Sequence, residues 1–107
     1  MASNKVKIIT KENFENTIRS EGLIIIDCWA PWCGPCRWFS PIIDQLSEEY
    51  SNIIFGKLNV DENVDIAGRF GIMSIPTTLF FLEGKLVDSI IGAVPKQVIE
   101  DKIHILK

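Results

Sequence analysis

Cys33 and Cys36 are two of only three cysteines in this 107-residue chain, and reactive chemistry is to be sought first in the stretch around them, Trp29-Ala30-Pro31-Trp32-Cys33-Gly34-Pro35-Cys36. A thiolate is a nucleophile, and two thiols so close in sequence can also close a disulfide and reopen it. Leu23 to Cys28 is too short and too β-branched for a buried helix, and it reads as a strand buried on both faces. Pro35 to Tyr50 repeats apolar residues at helical spacing. Cys33 therefore stands where a strand hands over to a helix, next to the unpaired N–H groups and positive dipole end that favour a thiolate. At about 100° per residue, Cys36 returns to the same face of the first turn, within reach of a disulfide. Gly34 allows another chain to approach the backbone closely, and Pro35 suits a first helical turn, where its missing N–H costs nothing and its fixed φ stiffens the ring. No histidine or other cation lies between the cysteines. A cation there would favour the dithiol and make an oxidant, so its absence leans towards a reductant.

The elements that must hold this stretch follow from hydrophobic period. Val6 to Ile9 suits a peripheral strand, and Thr10 follows as the N-cap of a helix that carries Phe14 and Ile18 on one face and stops at Gly22. Pro41 falls inside the long helix, where it either kinks one helix or breaks it into two. The stripe Ile42, Ile43, Leu46 continues past it and favours the kink. Ile53 to Val60 is another buried strand, and Asp61 or Asn63 caps a short helix through Ile66, Ala67 and Phe70 that ends at Gly71. Thr77 to Leu82 and Leu86 to Ile91 form an antiparallel hairpin across Glu83-Gly84-Lys85. Pro95 opens a last helix with Val98, Ile99, Ile103 and Leu106 inward and Lys96, Glu100 and Asp101 in water. The order βαβαβαββα predicts an α/β fold, a mixed central sheet with helices on both faces.

Composition narrows the function classes. One domain over residues 1–107 with 47% apolar residues buries roughly two-thirds of the unfolded surface without metal or disulfide staples. A net charge of −3 with both signs interspersed offers no basic footprint for nucleic acid and no polybasic membrane patch. Partners are expected to be proteins or small thiols. Met1 to Thr10 lacks the apolar stretch of a signal peptide and no run approaches membrane-spanning length, so a reducing cytosol is the default compartment. A transit peptide removed beforehand would leave the same sequence. An odd cysteine count with two close together argues for a redox or metal role over a secreted disulfide scaffold.

Two further residues stand out by chemistry alone. Asp27 interrupts Leu-Ile-Ile-Ile-Asp-Cys-Trp, and a carboxylate in a doubly buried strand has no water, so its pKa should rise. The alternative is an Asp at a solvated strand end. Strand alternation turns Cys28 to the opposite face, where a third thiol reads as a small buried hydrophobe. His104 falls on the polar side of the last helix, far in sequence from the cysteines.

Trp32-Cys33-Gly34-Pro35-Cys36, preceded by Asp27, Trp29 and Ala30, resembles the active-site signature of the thioredoxin family, and the similarity continues through Ile75-Pro76-Thr77 to the C-terminal helix. The resemblance implies a thioredoxin fold and a thiol–disulfide oxidoreductase that acts as a general protein-disulfide reductant. It implies no cofactor beyond the redox-active Cys33–Cys36 disulfide and no metal. Its partners would be disulfide-containing target proteins and a thioredoxin reductase, and the protein would be a monomer. Asp27 would take the proton from Cys36 when that thiol attacks a mixed disulfide, with Lys57 close enough to tune the transfer. A lysine snorkelling at the sheet margin is the alternative for Lys57. Ile75-Pro76 would be a cis bond facing the cysteines, where the backbone of residue 75 pairs with an extended substrate. Gly92 and Ala93 would complete that docking surface, and Trp32 would be a partly exposed aromatic shielding it.

The chain also departs from the family's commoner pattern. Cys28 replaces a bulky apolar residue, Arg37 a lysine and Trp38 a smaller apolar side chain. Arg37 keeps the charge after the second cysteine, whereas Trp38 bears on partner preference. Two other functions compete with reduction. A zinc site or cluster needs four ligands, so one C-x-x-C with a buried Cys28 and a remote His104 falls short unless two chains share it. A docking module with incidental cysteines is the other, and it can coexist with redox work.

Overall fold

Leu23 to Cys28 is buried at every residue because this strand is the middle of the sheet, with a neighbour on each side and a helical layer on each face. The computed structural model describes residues 4–107. The absence of a leader, read from Met1 to Thr10, rests partly on residues outside that range. Nine elements run in the expected order: β1 (Val6–Ile9), α1 (Phe14–Ile18), β2 (Leu23–Trp29), α2 (Gly34–Glu49), β3 (Ile54–Asn59), α3 (Val64–Arg69), β4 (Thr77–Leu82), β5 (Lys85–Ile91) and α4 (Lys96–Leu106).

The strands lie side by side as β1-β3-β2-β4-β5, with β1 and β2 parallel to β3 and with β4 antiparallel to both β2 and β5. Strand alternation divides the apolar residues between two layers. Ile24, Ile26 and Cys28 pack with Phe14, Ile18, Ile66 and Phe81 under α1 and α3. Leu23 and Ile25 pack with Phe39, Ile43, Leu46, Phe80 and Ile103 under α2 and α4. Asp27 has the parity of Leu23 and Ile25, so it faces the α2 layer. Its register partners are Lys57 on β3 and Thr78 on β4, which form one row across three strands on that face. β1 lies close to β3 because position 56 is glycine; a Cβ there would come within 2.6 Å of the Ile9 side chain.

Pro41 sits inside a helix that continues unbroken, so the two-helix alternative falls. Other local expectations need correction. The N-cap of α1 is Asn13 rather than Thr10: the chain makes a turn first, with the Phe14 N–H donating to the Thr10 carbonyl. Asn13 Oδ1 accepts from the Thr10 N–H at 2.9 Å, so Thr10 is the residue capped. Asn63 occupies the cap of α3 without a side-chain cap bond, and its amide donates instead to the Asn59 carbonyl. The hairpin loop is two residues, Glu83-Gly84, with φ of 51° and 81°, and Lys85 already pairs with Leu82. A left-handed pair in a two-residue turn matches the twist of the flanking strands, which shortens the loop expected from residue types alone. Val98, expected inward, is exposed. Lys96 and Glu100, expected in water, are half-buried because Lys96 bonds Glu49 and Glu100 accepts from the Tyr50 hydroxyl, both across the α2–α4 contact.

Candidate active site

The C-terminal end of β2 delivers Ala30 and Pro31 into a tight turn, in which the Cys33 N–H donates to the Ala30 carbonyl. Cys33 is the N-cap of α2, with extended backbone (φ −90°, ψ 112°), and Pro35 lies in the first turn where no N–H is needed. Its Sγ accepts a hydrogen bond from the Cys36 N–H at 3.2 Å, so sulfur occupies the place an N-cap oxygen usually fills. Cys33 and Cys36 are joined as a disulfide with Cα atoms 5.3 Å apart. Arg37 closes the turn by donating from Nη1 to the Pro31 carbonyl at 3.1 Å. A Cβ at Gly34 would meet nothing within 4 Å, which leaves the helix start open to a partner's backbone.

Two more loops meet this turn from the β4 side. The Ile75–Pro76 bond is cis, as expected, and the Ile75 carbonyl oxygen lies 3.8 Å from Cys33 Sγ. The Gly92 N–H donates to the Pro76 carbonyl at 2.8 Å, which seats Gly92 and Ala93 beside that loop, both half-buried. Trp32, next to Cys33 in the chain, is partly exposed, at 68%. Its indole Nε1 donates to Asp61 at 3.0 Å, so Asp61 anchors the tryptophan rather than capping α3.

Asp27 lies in the centre of the sheet on the face toward α2, 1% exposed, and neither carboxylate oxygen finds a hydrogen-bond partner among the described residues. Burial pushes its pKa from 3.8 up to about 7; the Lys57 ammonium opposes that rise and the Asp44 carboxylate adds to it. The alternative of a solvated strand end is excluded. Nor does Lys57 snorkel at a sheet margin. It lies mostly buried on β3, and its ammonium donates to Ser40 at 2.5 Å and to Asp44 at 2.9 Å. A cleft of about 250 Å³ opens beside it, lined by Cys36, Arg37, Ser40 and Lys57 among others.

Ser40 and Asp44 did not emerge from the sequence, although a signal was there. Cys36, Ser40 and Asp44 follow one another at steps of four, a polar line on the helix face that otherwise carries Phe39, Ile43 and Leu46 inward.

Cys28 lies fully buried in the α1/α3 layer, on the face away from Asp27, and its thiol is pushed up to about 12 by burial and then by the Asp27 charge. Such a thiol holds almost no thiolate at neutral pH. Cys28→Ala should leave turnover intact and lower stability by about 1 kcal/mol for a small cavity. Alkylation of native protein with the active pair oxidised should label nothing until denaturant is added. Rapid labelling of folded protein would show instead that Cys28 is reactive.

Among the described residues, no group of three or more His, Cys, Asp or Glu is placed to hold a metal ion. Cys28 faces the other layer and His104 is exposed on α4, so neither joins Cys33 and Cys36 in a four-ligand set within one chain.

A family model described as Thioredoxin matches residues 5–105. The chain is 47% identical over 105 residues to "Thioredoxin M-type, chloroplastic" of Pisum sativum, covering 96% of this chain and 61% of that longer protein. It is 49% identical over 96 residues to a thioredoxin of Chlorobaculum thiosulfatiphilum, covering 88% and 89% of the two chains. The solved structure of a thioredoxin from Malassezia sympodialis superposes with a TM-score of 0.88 at 29% identity, covering 99% of this chain and 94% of the other.

Proposed function

The chain belongs to the thioredoxin family and is a thiol–disulfide oxidoreductase, and from that premise we propose that it is a general reductant of protein disulfides in which Cys33 attacks and Cys36 resolves. The observation that carries the division of labour is the position of Cys33. It caps α2, next to the loop of Ile75 and the open face of Gly34, whereas Cys36 lies one turn inside. The thiolate of Cys33 displaces one sulfur of a target disulfide, forming a mixed disulfide and releasing the first target thiolate. The S–H bond of Cys36 then breaks, with its proton passing to the Asp27 carboxylate, and the Cys36 sulfur attacks Cys33 Sγ. The second target thiolate leaves with the electron pair, so the target gains two electrons and Cys33–Cys36 closes. Asp27 suits this step because a group held near pH 7 can both take and return a proton there. Extended target backbone would lie along Ile75 and Pro76, flanked by Trp32, Gly92 and Ala93.

The cycle needs a separate thioredoxin reductase to return two electrons, and either a nicotinamide-linked or a ferredoxin-linked enzyme has the chemistry. We take the working form to be a monomer in the reducing cytosol, a compartment that suits a chain with three cysteines and no disulfide framework. The pea relative is named as chloroplastic, and a reducing organelle would serve the same reaction. No helix among the described residues is long and apolar enough to cross a membrane.

Reduced protein at catalytic concentration, supplied with dithiothreitol, should accelerate cleavage of exposed disulfides in a model substrate protein well above dithiothreitol alone. Light scattering should report one chain per particle. A rate no higher than that of dithiothreitol would overturn the assignment as a general reductant.

A further inference from the structure

We propose that Asp44 and Ser40 are positioning residues for the resolving step, holding the Lys57 ammonium on the cleft side of the site and away from the Asp27 carboxylate. The proposal rests on the reading of Asp27 as proton acceptor for Cys36. Lys57 and Asp27 are register partners on adjacent strands and face the same layer, so an unrestrained lysine has Asp27 as its nearest buried anion on the sheet. Yet neither Asp27 oxygen has a partner among the described residues, while Lys57 Nζ gives its hydrogen bonds to Ser40 Oγ and Asp44 Oδ1 on α2. Both partners are side chains of one helix at i and i+4, and that helix begins at Cys33. The line Cys36, Ser40, Asp44 therefore joins the resolving thiol to the anchor of the lysine on one rigid element.

An ammonium bonded directly to Asp27 would stabilise the carboxylate and weaken it as a base, whereas an ammonium parked on Asp44 leaves the base strong. The groups that face Asp27 are few. β3 contributes Lys57; α2 contributes Asp44, with Cys36 and Arg37 at the cleft that Lys57 also lines; β4 contributes only Thr78, an uncharged hydroxyl without a partner among the described residues. Within β2, Ile26 and Cys28 face the other layer. Removing Asp44 acts on Asp27 twice in one direction: it deletes a neighbouring anion that holds the carboxyl up, and it frees a cation that pulls it down.

The test resolves the two chemical steps with 5,5′-dithiobis(2-nitrobenzoate) in a stopped-flow instrument. The first chromophoric thiolate reports attack by Cys33 and the second reports resolution by Cys36. In the native protein the second step should rise with pH through a midpoint near 7. In Asp44→Asn that midpoint should move down by about one pH unit and the plateau should fall several-fold, as for a weaker base. Asp44→Glu should restore both, and Ser40→Ala, which removes one anchor without changing charge, should move the midpoint the same way by less. In a Lys57→Met background the Asp44→Asn shift should shrink to less than half. Carboxyl NMR of Asp27 provides a second readout of the same displacement in protein that shows a native spectrum. An unmoved midpoint in Asp44→Asn, or an equal shift with and without Lys57, overturns the proposal. If Asp27→Asn leaves the native midpoint in place, the reading of Asp27 as the acceptor fails instead, and that outcome is distinguishable because Asp44 is then intact.

Discussion

Cys33→Ser should lose disulfide reductase turnover by at least roughly three orders of magnitude, while Cys36→Ser should complete one attack and stop with the target covalently attached. The asymmetry follows from geometry, since Cys33 caps α2 at the open face of Gly34 and Cys36 lies within the first turn. A serine hydroxyl at position 33 is too weakly acidic to supply the nucleophile; of the two cysteines that remain, Cys36 lies within the first turn of α2, away from the cap position, and Cys28 is sealed in the other layer. At position 36 a serine leaves attack untouched and removes only the group that expels the second target thiolate. Incubation of each variant with a disulfide substrate and non-reducing electrophoresis decides the matter. Mixed disulfide should accumulate with Cys36→Ser and be absent with Cys33→Ser. Equal accumulation in both, or equal residual turnover, would sink this assignment of roles.

Asp27→Asn should slow the resolving step near neutral pH and stabilise the fold, two opposite effects of one side chain. An amide cannot accept the Cys36 proton, so the pH-dependent rise of resolution should be lost. The stability effect follows from linkage. The unfolded carboxyl releases its proton near 3.8 and the folded one near 7, so between those values the native state holds a proton that the unfolded state has shed. Stability therefore falls as pH rises across that window, is unpenalised below about 4 and bears the full penalty above about 7. An uncharged isostere escapes the penalty, although its own amide remains buried without partners. The net gain at pH 8 should be on the order of 1–3 kcal/mol and should shrink towards zero at pH 4. Urea unfolding of both proteins at the two pH values measures it. A difference independent of pH would mean that the folded carboxyl titrates where the unfolded one does, with no rise on burial, and unchanged kinetics from pH 6 to 9 would reduce it to a structural residue.

The retention of so costly a group is consistent with a functional origin. An apolar residue at position 27 would extend the run Leu23, Ile25 into the α2 layer and add packing where the native chain carries two unpartnered oxygens. Stability has been given up at one position in the centre of the sheet, on the strand that leads into the redox turn.

The sequence by itself determined what depends on local period and local chemistry. The apolar run of β2, six of its seven positions, the helical stripe of α2 and the cysteine spacing are each patterns on the scale of one strand or one turn, so the order of elements and the redox pair were legible before any coordinates. The opposite facing of Asp27 and Cys28 is also a local property, because consecutive strand residues must diverge. The cis bond and the docking loops came from resemblance, since nothing local distinguishes Ile75-Pro76 from a proline that merely starts a strand.

Tertiary structure decided which distant groups meet. Lys57 was expected close enough to Asp27 to tune it, and its charge does act on that carboxyl, but the residues its ammonium bonds, Ser40 and Asp44, belong to a helix more than ten positions earlier. The indole of Trp32 is anchored by Asp61 in the loop after β3, a partner that no local pattern names. Lys96 and Glu100 left the solvent because α4 settles against α2, where Glu49 and Tyr50 await them. The physical reason is common to all three. A hydrophobic period states which face of an element is buried, whereas the partner of a long polar side chain is chosen by the rotation and height at which two elements pack, and those are set by the whole core.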